Sequence, residues 1–229
     1  KGESVNKIES NKSNVTIQLN SGNSHQFELA LIAVGVKGNI ENLGLDKCKI
    51  QTENGWIKVN EYMQTSIKNI YAIGDVAGPP WLAHVASKEG LVASEKIAEL
   101  DPDPMRYDNI PGCTYCHPEV ASVGLTEQKA IEEGYRIKIG KFPFKALGKA
   151  MAIGDTEGFV KIIYDEKYGE MLGCHIIGSE ATNIITEAVI ARNLETTHQT
   201  LLDTIHPHPT LSESIMEATA DALGEAIHI

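Results

Sequence analysis

Cysteine is scarce in this sequence. Four cysteines (Cys48, Cys113, Cys116, Cys174) in 229 residues are too few for a disulfide scaffold of that size, and a reducing compartment is the simpler reading. No apolar run reaches the roughly 18 residues a membrane-spanning helix needs. Basic charge is in deficit: 20 Lys and Arg stand against 31 Asp and Glu, a net charge of −11. That balance argues against nucleic acid or an anionic membrane as partner. No G-x-G-x-x-G, the loop that cradles a dinucleotide pyrophosphate, occurs anywhere. No Cys and His cluster has ligand spacing, so no metal site is expected.

What remains is ordinary globular composition, 42% hydrophobic and 22% charged, enough to bury a core in one large or two small domains. The chain begins at Lys1 with polar residues and no methionine. It reads as a piece of something longer, with any leader peptide lying upstream.

Taken in order, residues 15–19 alternate as a half-buried strand does, and residues 20–23 form a turn. Residues 29–34 run apolar without alternation, which predicts a strand buried on both faces. That strand ends at Gly35, either a simple strand-end glycine or a point where backbone approaches a ligand. Asn54-Gly55 predicts a turn. A second apolar strand is expected before Gly74-Asp75, then a helix from Leu82 to about Glu99. A carboxylate at a strand's C-terminal end sits where α/β sheets bind ligands. Asp75 can accept two hydrogen bonds from a vicinal hydroxyl, or simply cap its own loop.

Residues 101–104 (Asp-Pro-Asp-Pro) form a linker, and a domain boundary is expected near residue 108. Beyond it a strand (119–124), a short helix capped by Thr126, a strand (136–142) and a hairpin (159–177) follow. Ile184, Ile185, Ala188 and Val189 mark one face of a helix, His198–Leu202 a short one, and Ser212 opens the last. Antiparallel strands with helices on one side are α+β.

The chemistry concentrates in Ile205-His206-Pro207-His208-Pro209-Thr210-Leu211-Ser212-Glu213. Histidine takes and gives protons near neutral pH, prolines fix the backbone around it, and a nearby carboxylate orients one ring nitrogen. His208 is a candidate general base and Glu213 its orienter. The alternative is a solvated loop before a helix with Ser212 as N-cap. Cys113-Thr-Tyr-Cys116-His117 spells both a c-type haem attachment and a redox C-x-x-C, in a strand context that fits neither.

His-Pro-Thr-Leu-Ser-Glu (208–213) and Tyr-Ala-Ile-Gly-Asp-Val (71–76) resemble motifs of the dihydrolipoamide dehydrogenase branch of the flavoprotein disulfide oxidoreductases. The resemblance covers essentially the whole chain, but only the second half of that family's enzyme. It implies three parts: the tail of an NAD-binding domain (1–37), a central FAD-contacting domain (38–108) and an interface domain (109–229). The fold class is accordingly α/β and α+β: the end of a nucleotide-binding α/β domain plus an α+β dimerisation domain with an antiparallel sheet. His208 then deprotonates the dithiol across a homodimer and Glu213 hydrogen-bonds it. Asp75 binds the ribityl chain of FAD, Trp81, Leu82, Ala83 and His84 lie under the flavin, and Gly35 lies near NAD. Val85 and Trp81 depart from the family's usual Lys and smaller residue. Partners would be lipoyl domains of 2-oxo acid dehydrogenase or glycine cleavage complexes. The location would be cytoplasmic, or the mitochondrial matrix. The redox C-x4-C is not among these residues, so the isolated chain is expected to lack turnover. Mercuric, glutathione and transhydrogenase-type relatives, and a non-catalytic dimerisation module, remain as alternatives.

Overall fold

The structure is a computed structural model that describes residues 2–228. The chain divides into two compact units, Lys1–Pro102 and Asp103–Ile229.

In the first unit, β1 (Val5–Ser10), β2 (Val15–Leu19) and β3 (Ser24–Phe27) form an antiparallel meander. Asn11 turns the first hairpin by accepting the Ser13 and Asn14 N–H groups at its side-chain oxygen. Residues 29–34 are not a strand. Leu29, Leu31, Ile32 and Val34 are 68–92% exposed. The apolar run predicts a strand buried on both faces, and such a strand needs a paired neighbour and layers that cover its two faces. Among the described residues, the three-stranded sheet ends at β3 and no strand pairs with this segment.

After α1 (Leu45–Cys48), a small hairpin joins β4 (Thr52–Glu53) to β5 (Trp56–Ile57). Asn54 and Gly55 both take positive φ (50° and 90°), the requirement of the two-residue turn predicted there. The strand expected before Gly74 is likewise absent. Only an isolated Gln64–Tyr71 bridge forms, and the chain then tightens into a 3-10 turn, Gly74–Ala77. α2 (Ala83–Ile97) follows, burying Val85, Glu89, Val92 and Ala93 on one stripe.

The second unit is a five-stranded antiparallel sheet in the order β6-β7-β10-β9-β8. Its elements are β6 (Gly112–Thr114), β7 (Glu119–Gly124), α3 (Glu127–Glu132), β8 (Ile137–Pro143), α4 (Gly148–Ile153), β9 (Gly158–Asp165), β10 (Met171–Gly178), α5 (Ala181–Asn193), α6 (His198–Asp203) and α7 (Glu213–Asp221). Thr126 caps α3 as expected, its side chain accepting the Lys129 N–H. Successive residues of a strand face opposite ways. Val160, Ile162 and Tyr164 therefore join Ile185, Ala188, Ile215 and Ala218 in the main core. Ile163 points to the other face, where Leu172 and Ala130 of α3 cover it.

Two contacts fix where α7, and so the loop before it, must lie. Gly140 on β8 has no room for a side chain: a methyl there would overlap the Ala218 carbonyl and sit 2.7 Å from Ala222 N. The helix backbone thus rests directly on the strand. On the same face, the buried Tyr164 hydroxyl and Thr219 Oγ1 are hydrogen-bonded at 2.8 Å. At the far end of α5, the Arg192 guanidinium donates to the carbonyls of Met171, Leu172 and Asp108, tying the incoming chain to β10.

Candidate active site

The loop between α6 and α7 carries the two histidines. In a regular strand, residues two apart share a face. In this proline-punctuated loop they do not: the His206 side chain is 4% exposed and that of His208 is 74% exposed. The His208–Pro209 peptide is cis.

His208 Nδ1 lies 2.8 Å from Glu213 Oε1, and Glu213 Oε2 accepts the Thr210 N–H at 2.8 Å. Burial on its own would raise the Glu213 carboxyl. The Thr210 N–H and the His208 ring outweigh it and hold that carboxyl below its ordinary value. An ionised carboxylate only accepts hydrogen bonds, so Nδ1 must carry the proton and Nε2 presents its lone pair. That leaves a solvent-facing nitrogen able to take a proton. Ser212 begins α7 but makes no side-chain capping bond. Glu213, which the sequence offered as a partner for histidine alone, also closes the turn. Gly148 opens α4 beside the His208 ring, 3.9 Å from where a Cβ would stand. An open cleft lined by Lys149, Asn183, Ile184 and residues 209–212 adjoins the loop.

His206 faces inward. Its Nε2 lies 2.7 Å from Glu187 Oε1 on α5, and its Nδ1 lies 3.0 Å from the Thr204 carbonyl. Sequence reasoning singled out both histidines but gave a role only to the second. Nothing in the spacing 187 to 206 signals the pair.

In the first unit, Asp75 sits exposed in the 3-10 turn and Trp81 to His84 run into the start of α2. The 3-10 turn that carries Asp75 packs against α2. Gly35 is exposed, has φ 103°, and belongs to the irregular stretch after β3 rather than to a strand end. α2 has neither a capping side chain nor an acidic residue in its first turn. The positive end of its dipole is thus unopposed. Trp81 Nε1 is a buried donor without a partner among the described residues. The turn is supported by two residues that sequence reasoning missed. Glu89, buried on α2, accepts the Gly74 N–H at 2.7 Å. Gly38 packs so closely that a Cβ there would stand 2.9 Å from the Asp75 carbonyl. The signal for Glu89 was available: a carboxylate at i+4 from Val85 and near Val92 interrupts an apolar helix stripe.

Cys113 lies in β6, and the Cys116 thiol donates to the Pro118 carbonyl at 3.0 Å. Both are free thiols. Burial, with help from Glu119, pushes Cys113 up, the opposite of the lowered thiol that redox exchange uses. Among the described residues no group of three or more His, Cys, Asp or Glu could hold a metal ion, and no helix is long and apolar enough to cross a membrane.

Two family models match. Residues 1–90 match "Pyridine nucleotide-disulphide oxidoreductase", and residues 110–219 match that family's dimerisation domain. The chain belongs to the pyridine nucleotide-disulphide oxidoreductases. Within that family, dihydrolipoyl dehydrogenase of Rhizobium etli is 48% identical over 98% of this chain and 48% of its own length. The Bacillus subtilis protein of the same name is 50% identical over 90% of this chain and 43% of its own. The chain therefore spans about half the length of the curated relatives it matches. Among solved structures, LpdA of Mycobacterium tuberculosis superposes with a TM-score of 0.85 at 25% identity, over 95% of this chain and 48% of that one. The HOCl-induced flavoprotein disulfide reductase RclA of Escherichia coli reaches 0.83 at 24% identity, over 95% of this chain and 50% of that one, a likeness of fold.

Proposed function

We propose that this chain is the C-terminal half of a dihydrolipoamide dehydrogenase, which oxidises protein-bound dihydrolipoamide with NAD to give lipoamide, NADH and a proton. The observation that carries the reading is the His208–Glu213 pair, oriented by a carboxylate and open at Nε2. Sequence identity near one half to dihydrolipoyl dehydrogenases supports the lipoamide branch over other disulfide reductases.

Thiols react as thiolates and have an ordinary pKa near about 8.5. His208 Nε2 takes the thiol proton of the dihydrolipoyl group. Glu213 holds Nδ1–H and stabilises the imidazolium that results. FAD, when bound, would supply the two-electron redox chemistry that links dithiol oxidation to NAD. The residues of the 3-10 turn and α2 fit such a group: Asp75 would accept hydrogen bonds from ribityl hydroxyls, the α2 N-terminus would stabilise the anionic charge of a reduced flavin, and Trp81 offers a buried donor. Gly35 lies toward NAD in this reading. Residues 1–37 close the NAD domain, 38–108 contact FAD, and 109–229 form the interface of a homodimer in which His208 serves the partner subunit's site. Lipoyl domains of 2-oxo acid dehydrogenase or glycine cleavage complexes are the partners. The relatives quoted are bacterial, which favours the cytoplasm over a mitochondrial matrix.

The test is a steady-state assay of the full-length protein with dihydrolipoamide, and separately with glutathione, against NAD and NADP. Turnover confined to dihydrolipoamide with NAD is expected. Preference for glutathione would move the protein to another branch. The isolated 229-residue chain is expected to give no turnover in either assay.

A further inference from the structure

The loop that presents His208 is moored from its buried side by a second imidazole–carboxylate pair. Glu187 stands on α5, whose Ile184, Ile185 and Ala188 are set in the main core. It grips His206 Nε2 at 2.7 Å, while the other ring nitrogen of His206 meets its own loop at the Thr204 carbonyl. A ring sealed at 4% exposure and bonded at both nitrogens has one orientation. Two residues later the chain must deliver His208 to Glu213. We propose that His206, held by Glu187, is the positioning residue for the His208 base. The proposal rests on His208 being the base.

The charges around His206 come from two elements. Glu187 faces it from α5 and Glu213 from α7. The charge of Glu187 also acts on the Cys174 thiol of β10, and that of His228 on Glu213. The hydrogen bond to Glu187 is the largest influence and raises His206, against burial, so the ring holds its proton further toward neutral pH.

The experiment uses the FAD-loaded full-length dimer with His206→Asn, Glu187→Gln and, as control, His208→Gln. Expected for the first two is a fall in kcat for dihydrolipoamide of about ten- to a hundredfold, with KM and flavin content unchanged. Because His208 is no longer aimed at Glu213, the acid limb of the pH profile, which reports the base, should move down by about half a pH unit, in the same direction as for Glu213→Gln. A merely structural contact moves stability but not that limb. Unchanged kcat, or a limb that stays put, in both variants while His208→Gln is inactive overturns the positioning role and leaves the base assignment standing. Full activity in His208→Gln removes the base assignment and this proposal with it. Loss of flavin or of the dimer in both variants places the pair in the fold alone and overturns the proposal as well.

Discussion

One carboxylate, Glu213, bonds the His208 ring through Oε1 and the Thr210 N–H through Oε2, each at 2.8 Å. It therefore fixes both the ring and the loop that carries it. In the full-length enzyme, His208→Gln should lower dithiol oxidation by about 10²–10⁴-fold while FAD stays bound. Glu213→Gln should cost less and shift the pH profile to lower pH, because an amide does not favour the imidazolium. Near-native rates in His208→Gln, measured with dihydrolipoamide at matched flavin content, would falsify the assignment.

The two imidazole–carboxylate pairs make opposite demands on stability. Glu213 is held below its ordinary 4.5, burial opposing and Thr210 and His208 prevailing. A lowered carboxyl contributes stability that is present above its unfolded pKa and is lost as pH falls through the folded one. His206 is raised from 6.5 by Glu187. Its contribution is full below the unfolded value and is lost as pH rises through the folded one. Urea midpoints across pH should show Glu213→Gln blunting the acid-side loss and Glu187→Gln blunting the loss on the alkaline side of 6.5. Identical slopes in native protein and Glu187→Gln would show that His206 gains nothing from its partner.

Much of the second unit was legible because its strands and helices are self-contained. Residues 119–124 and the 159–177 hairpin appear where alternation and turn residues put them. The segment 29–34 failed for a physical reason: its composition describes a central strand, and no neighbour among the described residues supplies the hydrogen bonds. The strand before Gly74 gave way to a 3-10 turn, since Gly74 takes φ 70° and its N–H goes to the Glu89 carboxylate rather than to a ladder. β1 and β3 are polar and exposed, so no apolar pattern announced them. At the site, His208 and Glu213 lie five residues apart and could be paired by eye. Glu187 and His206 are brought together only by the packing of α5, which spacing does not encode.

Gly140→Ala tests the seat of α7. The added methyl meets backbone, the Ala218 carbonyl and the Ala222 nitrogen, so no rotamer relieves it. The helix must lift from β8, loosening the core around Ile215 and Ala218. A loss of at least about 1–3 kcal/mol is expected, the usual cost of overpacking. It should appear as a lower urea midpoint with Glu213 and His208 chemically intact. A midpoint equal to the native one would mean that α7 can shift freely, and the close strand–helix contact would not be what positions the loop.

Glu89 offers the corresponding test in the first unit. Its carboxylate is 3% exposed and accepts the Gly74 N–H, one residue before the Asp75 carboxylate that is read as the ribityl ligand. An N–H left unpaired in a buried setting costs about 1–3 kcal/mol, and the turn would relax to find another acceptor. Glu89→Ala in the full-length protein should therefore release FAD more readily, seen as a lower flavin-to-protein absorbance ratio, with dimerisation retained. Glu89→Gln keeps an acceptor oxygen in place and should hold most of the flavin. Asp75→Asn, which alters the proposed ligand and not its support, should weaken FAD without moving the turn. Equal flavin retention in native protein and Glu89→Ala would show that the turn stands without its buried acceptor.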